Sequence, residues 1–424
     1  MKVFKFGGAS VKDASAYRNV AEIVRLYPKD KLIIVISAMG KTTNALEELV
    51  RSYFHKDRQK QRHLKQIRMF HKDIVEDLFH DKSHSVYAEI GRLFQELSLY
   101  IKSEPGSNFD YEYDQVVAYG ELLSSCLLSH YLIDVGIGNS LLNASDVIMT
   151  DDNFREGRVY WPQTIRLIRQ KLKDFATADL GLENVIVTQG FIGRSPDGSF
   201  TTLGREGSDY SAAIFGHAME VEEVVIWKDV EGLLDADPKL FSNAKLIETI
   251  SYHETIELSF YGASIIHPKT IQPLENKNIP LCVKSFLNPQ LTGSVIKRIE
   301  GTENPPSSII VKENQMLISI ASTDFSFIAE KNLQNIFRIF AELAVRINVM
   351  QNSAISFSVI IDDPQYKKKL LLSELSAYFK VRYNEGLKLI TIRHYTPEII
   401  RLVTGDSEIL LEQKSRFTYQ AVIR

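Results

Sequence analysis

The stretch Lys2–Ser10 reads KVFKFGGAS and sets the pattern for the first part of the chain. Its apolar half, Lys2–Phe6, predicts a β-strand, and two glycines follow at once. Asp13 then suits the N-cap of a helix whose apolar residues, such as Tyr17 and Val20, recur at helical spacing. A strand, a glycine turn and a helix in succession indicate an α/β fold.

The same alternation continues to about residue 300. The apolar, β-branched run Leu32–Ile36 is typical of a strand buried on both faces, and three later runs have the same character. These are Asn184–Ile192, Glu223–Trp227 and Pro280–Ser285. Amphipathic stretches between them predict helices near Tyr111–Val135, Trp161–Phe175, Ser208–Met219 and Tyr252–Ala263. We therefore predict a mainly parallel sheet sandwiched by helices.

Three segments depart from this alternation. Residues 55–104 are rich in Lys, His, Gln and Glu with a helical apolar rhythm, which predicts a helical insertion. Residues 299–307 form a polar, proline-containing linker. Residues 308–424 return to β-α-β units with antiparallel pairing, and the second of two related units looks truncated at the end of the chain. We predict a first domain over 1–298 and a smaller one over 308–424.

Composition narrows the classes of function. The chain has 424 residues, 44% of them hydrophobic, and a net charge of −3, so it presents no basic field for nucleic acid. We find no apolar run near the roughly 18 residues that span a bilayer. Two cysteines, Cys126 and Cys282, exclude a disulfide framework and fit a reducing cytoplasm. No Cys/His cluster has zinc spacing.

The glycine pair after the first strand is a candidate anion site. Gly7 and Gly8 let backbone amides approach a phosphate, a helix N-terminus follows, and Lys5 adds a mobile positive charge. Taken alone, the pair is also compatible with an ordinary tight turn. Gly40-Lys41-Thr42 resembles the end of a P-loop, but Val35 stands where that loop needs a glycine, so we reject that interpretation.

The segment Thr201–Ser211, TTLGREGSDYS, is the densest polar cluster. It follows a hairpin-like turn and enters a helix rich in small residues. Arg205 suits bidentate capture of a carboxylate, and Asp209 stands at the helix start. Ser37 and Thr43, which follow a buried strand, suit helix caps and ligand contacts equally well. By pattern alone, Glu121 is a solvent-facing residue and His267 a helix-entry residue.

Together these segments resemble the aspartate kinases of the amino-acid kinase superfamily. The matching stretches occur in the family's order and spacing over residues 1–298. They are Lys5–Ser10, Thr201–Ala212, Trp227–Gly232 with Asp237–Lys239, Phe260–Pro268, and Thr292–Ile296.

The resemblance implies a role for each matching position. Lys5 and Asp209 would be catalytic. The amino acid would contact Ser37, Thr43, Glu121, Arg205 and Ser208, with Arg205 on its α-carboxylate and Glu121 on its α-ammonium. ATP would contact Lys5, Gly7, Gly8, Ser10, Lys228, Asp229, Leu234, Lys239 and Ser264. Mg²⁺ would arrive with ATP, with no site built from protein ligands alone.

Three positions depart from the family's pattern. Ser264 stands where a phosphate-contacting Lys is usual, and Lys239 stands where Arg is common. Glu206 replaces a frequent Gly beside Arg205, and we expect its carboxylate to point away from the anion site.

The tail resembles the ACT-type regulatory region of these kinases. This implies a ferredoxin-like βαβ domain, a homodimer paired through it, and feedback by lysine or threonine at Met350, Gln351 and Asn352. The activity implied is ATP-dependent phosphorylation of the aspartate β-carboxylate, the first step toward lysine, threonine and methionine. The alternatives are a catalytically weakened amino-acid sensor, suggested by Ser264 and the short tail, and a sister kinase for another carboxylate.

Overall fold

The computed structural model describes residues 1–173, 175, 184–263, 266–300, 305–324 and 327–424, in two compact units. The first unit comprises residues 1–233, 246–256 and 265–303. The second comprises residues 234–245, 257–264 and 304–424. The sequence predicted one boundary between the domains, at residues 299–307. The second unit instead also includes residues 234–245 and 257–264, which precede that boundary in the chain.

The first unit is built on an eight-stranded sheet. In chain order its strands, with those of one hairpin, are β1 Lys2–Phe6, β2 Leu32–Ile36, β3 Asn139–Leu142, β4 Val185–Gln189, β5 Ile192–Arg194, β6 Phe200–Thr202, β7 Glu223–Lys228, β8 Thr249–Ser251, β9 Leu281–Ser285 and β10 Ser294–Lys297. The sheet order is β3-β4-β2-β1-β7-β9-β10-β8, and β5 pairs with β6 separately. Every neighbouring pair in the sheet is parallel except β9 with β10, which confirms the predicted α/β class.

Helices cover both faces of this sheet. They are α1 Ala14–Arg25, α2 Thr42–Phe54, α3 Lys60–Leu78, α4 Ser85–Tyr100, α5 Phe109–Val117, α6 Tyr119–Asp134, α7 Trp161–Lys171, α8 Gly207–Met219, α9 Tyr252–Tyr261 and α10 Pro268–Glu275. Phe4 and Phe6 of β1 share one apolar cluster with Val20 of α1 and Leu127 of α6. On the opposite face Gly216 of α8 packs so closely on Val224 that a β-carbon there would lie 2.6 Å from a valine methyl.

Local sequence explains several element bounds. Asp13 caps α1, as predicted, by accepting a hydrogen bond from the Ala16 N–H at 2.8 Å. The single helix predicted over Tyr111–Val135 is two helices, α5 and α6, that meet at Ala118. The predicted insertion at 55–104 is the helix pair α3 and α4. The predicted helix Trp161–Phe175 is observed as α7, Trp161–Lys171, and Asp174 of the predicted range lies outside the described residues.

The pair α5–α6 corrects one prediction from composition. Residues Phe109–Asp134 are long and apolar enough to span a membrane, with a mean hydropathy of 1.3 over their most apolar 18 residues. The prediction that the sequence has no apolar run of membrane-spanning length is therefore wrong. Of that window, 78% is buried inside the fold, as in the core helix of a globular domain.

The second unit is a six-stranded antiparallel sheet with helices. Its elements are β11 Ser308–Ala321, α11 Glu330–Glu342, β12 Ile347–Asn352, β13 Ser356–Asp362, α12 Lys368–Ser376, β14 Lys380–Arg393, α13 Pro397–Thr404, β15 Ile409–Lys414 and β16 Thr418–Ile423. The order is β12-β13-β11-β14-β16-β15. The C-terminal half of β11 begins a β-α-β-β-α-β unit that ends in β14, which is the predicted ferredoxin-like pattern.

The second repeat of this unit is discontinuous in sequence. Register shifts near Lys312 and Gln315 divide the long strands β11 and β14 into halves. Ser308–Lys312 pairs with the C-terminal half of β14, which also pairs with β16. The Ser308–Lys312 strand that joins this repeat thus precedes the first repeat in sequence, and within the described residues the second repeat has one helix, α13, where the first has two.

Candidate active site

A cavity of about 790 Å³ opens at the carboxyl ends of the central parallel strands of the first unit. Gly8 follows β1, Ser37 follows β2, Phe191 follows β4, and Lys228 ends β7, and all four residues line it. Because neighbouring parallel strands end at one edge of a sheet, side chains far apart in sequence converge there. Ligands of open α/β sheets favour this edge.

A buried ion pair forms part of the cavity wall. The Lys5 ammonium is 2.5 Å from Oδ1 of Asp209, and their side chains are 11% and 4% exposed. A second ammonium, that of Lys228, is 4.0 Å from Oδ2 of the same carboxylate. Two ammonium groups thus face one carboxylate at the cavity wall.

The turn after β1 lies against the turn after β2. The Gly40 N–H donates to the Gly8 carbonyl at 3.0 Å. A β-carbon on Gly8 would lie 2.8 Å from the Gly40 oxygen, a distance that β-carbons essentially never show, and 3.0 Å from the Ala38 oxygen. The glycine is therefore required by close backbone approach at this position.

Glu121 lies inside the fold and not in solvent, which corrects the interpretation from its local pattern. Its Oε1 accepts from the Ala38 N–H at 3.2 Å, while its buried Oε2 has no hydrogen-bond partner among the described residues. Burial raises the pKa of this carboxyl to about 8, although the Ala38 N–H and the positive charge of Lys5 both oppose that rise. A carboxyl oxygen buried beside the cavity suits an ammonium group.

The segment before α8 is held by an uncommon backbone conformation. Glu206 has φ +54°, in the left-handed region that glycine adopts most readily. Its carboxylate turns to the chain before α10 and accepts from the His267 N–H at 2.8 Å. His267 itself is the N-cap of α10, where its side chain accepts from the Lys269 N–H. The neighbouring Arg205 is exposed and lines the cavity.

Sequence reasoning missed one wall of the cavity. Asp110, Tyr113 and Arg155 belong to it, and the Arg155 guanidinium lies 4.4 Å from the Tyr113 ring centre and 3.2 Å from the Asp110 carboxylate. Such a contact between side chains 42 residues apart leaves no local pattern in sequence.

A buried carboxylate fixes this wall to the hairpin. Asp114 accepts from the N–H groups of Arg155 and Thr202, both at 2.9 Å, and from the Thr202 hydroxyl at 2.8 Å. Burial raises its pKa to about 6, against the lowering effect of these donors. Asp114 therefore positions two cavity-lining segments without lining the cavity itself.

The structure brings most of the predicted site together. The predicted residues that line the cavity are Lys5, Gly8, Ser37, Thr43, Glu121, Arg205, Ser208, Asp209 and Lys228. Gly7, Ser10 and Asp229 belong to the same unit but are not part of the lining, and the Ser10 hydroxyl donates to the Trp227 carbonyl at 3.4 Å. Leu234 and Lys239 belong to the second unit, and Ser264 lies outside the described residues.

The donor set fits a polyphosphate better than a bare metal ion. Within the described residues, no three His, Cys, Asp or Glu side chains form a group able to hold a metal. The cavity instead offers two lysines, two arginines and glycine backbone, which bind phosphate and carboxylate oxygens.

Comparisons with known proteins agree with this geometry. The model of the amino acid kinase family matches residues 1–285. The chain is 30% identical to the lysine-sensitive aspartokinase 3 of Escherichia coli over 404 residues, which is 92% of this chain and 86% of that one. It is 31% identical to the chloroplastic aspartokinase 1 of Arabidopsis thaliana over 88% of this chain, but spans only 65% of that relative's length.

Solved structures give the same result. The E. coli aspartokinase III in complex with lysine and aspartate is similar with a TM-score of 0.85 and 28% identity, over all of this chain and 95% of that one. The same enzyme with aspartate and ADP has a TM-score of 0.80 and 27% identity. The chain therefore belongs to the amino acid kinase family and, within it, to the aspartokinases. The family resemblance seen in the sequence is confirmed, and so is the two-part fold.

Proposed function

We propose that the chain transfers the γ-phosphoryl group of ATP to the β-carboxylate of L-aspartate. This proposal rests on one observation, which is that a single cavity is lined by Lys5, Asp209, Glu121 and Arg205. Lys5 and Arg205 are cations suited to phosphate and carboxylate groups, and the Glu121 carboxyl suits an α-ammonium group. In the E. coli relative, aspartate and ADP are bound together.

The amino acid would be held by its α-groups. Arg205, exposed at the cavity, has the planar fork that binds a carboxylate through two hydrogen bonds. Glu121 offers its buried Oε2 to the α-ammonium, and Ser37, Thr43 and Ser208 line the same space. With both α-groups engaged, the β-carboxylate remains free to react.

The acceptor needs no general base. An aspartate side-chain carboxylate ordinarily has a pKa of about 4 and is already ionised at neutral pH, so one of its oxygens attacks the γ-phosphorus directly. The bond from the γ-phosphorus to the bridging oxygen breaks, and ADP leaves with the electron pair. Catalysis then consists of bringing two anions together and stabilising charge on the transferring group.

Lys5 and Lys228 are placed for that charge stabilisation. Asp209 orients both ammonium groups, since each lies within 4.0 Å of its carboxylate. Gly8 lines the cavity, where its lack of a side chain would let the phosphates approach the backbone closely, and we propose the same role for Gly7. Mg²⁺ entering with the nucleotide would neutralise charge between its phosphates. We further propose that Ser10, Asp229, Leu234, Lys239 and Ser264 form the nucleotide side.

The second unit is proposed to regulate this activity. Met350, Gln351 and Asn352 are exposed on β12, which is an edge strand of the six-stranded sheet. An edge strand offers unpaired backbone groups to a second copy of the chain, so we propose a homodimer joined there. Lysine is the proposed effector, since the E. coli relative is lysine-sensitive and binds lysine. Threonine is the alternative.

We also propose a cytoplasmic location for the protein and a biosynthetic use for its product. Cys126 and Cys282 are both free and buried, which fits a reducing cytoplasm. The product would enter the biosynthesis of lysine, threonine and methionine.

An acyl-phosphate trap tests the activity. Hydroxylamine should capture β-aspartyl phosphate when the chain is supplied with ATP, Mg²⁺ and aspartate. Glutamate, acetylglutamate and uridine monophosphate serve as control acceptors, and ADP release is measured for each of them, because phosphorylated uridine monophosphate is not an acyl phosphate and forms no hydroxamate. Aspartate-dependent hydroxamate supports the proposal. Ligand binding without any product would favour the amino-acid sensor, and preferred turnover of another acceptor would favour a sister kinase.

A further inference from the structure

The helix pair α3–α4 contains a second cavity that the proposed reaction does not use. This groove has a volume of about 410 Å³ and lies between one face of each helix. Its lining residues are Arg68, Lys72, Val75, Glu76, Lys82, Tyr87, Ile90, Gly91 and Phe94. None of them lines the catalytic cavity. The size and the apolar lining with a few charged groups are those of small-molecule sites.

The floor of the groove is apolar and reaches the helix backbone. Val75, Ile90 and Phe94 are each less than a tenth exposed. At Gly91, in the middle of α4, a β-carbon would meet no atom within 4 Å. Glycine is unfavourable in a helix interior, and here it leaves open space where most side chains would fill the groove.

The rim carries an excess of positive charge. Arg68, Lys72 and Lys82 face a single carboxylate, Glu76, so the lining has three cations and one anion. Glu76 lies 2.6 Å from Lys82 and 3.9 Å from Lys72. Arg68 has its guanidinium 5.3 Å from the ring centre of Phe94, at the boundary between rim and floor.

From this arrangement we propose that the groove binds an anionic amphiphile, a small molecule with one acidic head and an apolar chain. The head would pair with Arg68 and Lys72, which lie one helical turn apart on α3. The chain would lie on Ile90 and Phe94 and extend to Gly91. The excess of rim cations over Glu76 selects this ligand class over neutral or cationic apolar molecules.

Titration calorimetry of the full chain with dodecanoate, below its micellar concentration, tests the site. Dodecyltrimethylammonium serves as the ligand of opposite charge. We expect dodecanoate to bind with one-to-one stoichiometry and the ammonium analogue to bind at least tenfold more weakly. Absence of dodecanoate binding, or equal binding of the two amphiphiles, overturns the proposal.

Three variants locate the binding. Gly91→Leu should fill the groove and weaken dodecanoate binding at least tenfold while raising the melting temperature, since leucine is the better helix former. The double variant Arg68→Gln/Lys72→Gln should weaken binding by a similar factor. Lys65→Gln, on the same helix but outside the groove, should bind like the wild type.

Two further outcomes contradict the proposal. Unchanged binding by Gly91→Leu would place the amphiphile elsewhere on the protein. A change in oligomeric state of Gly91→Leu without ligand, seen by light scattering, would make the groove an interface between copies of the chain. Hydroxamate formation by Gly91→Leu should match the wild type, so failure of the groove proposal remains separate from failure of the proposed kinase activity.

Discussion

The N–H of Gly40 donates to the carbonyl of Gly8, and a β-carbon on Gly8 would lie 2.8 Å from the carbonyl oxygen of Gly40. The turns that follow β1 and β2 are thus in direct backbone contact. Any side chain at residue 8 must separate them. The position of Lys5 relative to Ser37 and Thr43 depends on this contact, because those residues lie on the same two segments.

Gly8→Ala is expected to abolish most of the activity. The added methyl meets backbone oxygens of Gly40 and Ala38, which cannot rotate away, and a shift of about 1 Å at a reacting group can cost roughly 100-fold in rate. The hydroxamate assay measures the loss. Gly91→Ala is the control, since its β-carbon meets nothing, and it should gain about 1 kcal/mol of stability with unchanged turnover. Full activity of Gly8→Ala would contradict the assigned cradle.

Loss of either member of the Lys5–Asp209 pair should abolish turnover and also destabilise the fold. Removing one partner of a buried ion pair typically costs about 3–5 kcal/mol, since the other charge remains buried. Lys5→Met and Asp209→Asn should each show both effects, measured by hydroxamate yield and by urea unfolding.

The double variant Lys5→Met/Asp209→Asn separates the two roles. It removes both charges, so it should recover part of the stability but none of the activity. Wild-type turnover in either single variant would refute the catalytic assignment. Stability that falls additively in the double variant would show that the two charges do not interact.

Glu121 should make aspartate binding depend on pH. Its raised pKa of about 8 means that the free protein holds it protonated at pH 7, whereas an α-ammonium favours the ionised form. Binding therefore releases a proton, and KM for aspartate should fall as pH rises from 6 to 8, by at most about tenfold per unit.

Glu121→Gln tests this dependence. The amide cannot ionise, so KM should be higher than in the wild type and nearly independent of pH over the same range. Glu48→Gln, an exposed glutamate on α2, should keep the wild-type profile. An unchanged slope in Glu121→Gln would assign the titration to another group.

His71 should make the fold sensitive to acid. The ring is buried, donates from Nδ1 to the Ile67 carbonyl at 2.7 Å, and has its pKa lowered to about 4 by burial. Between pH 6.5 and 4 the unfolded chain takes up a proton at this residue and the folded chain does not. Stability therefore falls as pH decreases through that window, by up to about 3 kcal/mol.

His71→Leu should remove that contribution. Urea unfolding at pH 7 and pH 4.5 measures it, and His80→Leu, at an exposed histidine, is the control. The difference in stability between the two pH values should shrink in His71→Leu alone. Equal differences in both variants would show that other groups govern the acid sensitivity.

Local sequence patterns predicted those strands and helices that are determined by neighbouring residues. The strand Leu32–Ile36 has the predicted bounds, because an apolar β-branched run favours a buried strand wherever it packs. The helix capped by Asp13 begins where its cap predicts. Helix α12, by contrast, was not predicted, since its apolar rhythm is short and only two of its residues, Leu371 and Leu375, are buried.

The sequence predicted those candidate site residues that belong to a recognisable motif. Lys5, Arg205 and Asp209 stand in glycine-containing segments rich in polar residues. Such segments indicate a binding site even when the fold is not known. Glu121 owed its prediction to the family resemblance, since its own surroundings in sequence suggest a solvated helix face. Its burial results from the contact of α6 with the Ala38 turn, 83 residues away.

The sequence by itself determined which strands and helices form and which charged groups accompany them, because hydrogen bonding, capping and apolar periodicity act over a few residues. The tertiary structure alone decided the Asp110–Tyr113–Arg155 wall and the pairing of Ser308–Lys312 with the C-terminal half of β14. It also decided the open space at Gly91. Each depends on packing between residues far apart in the chain, and local patterns do not encode such distances.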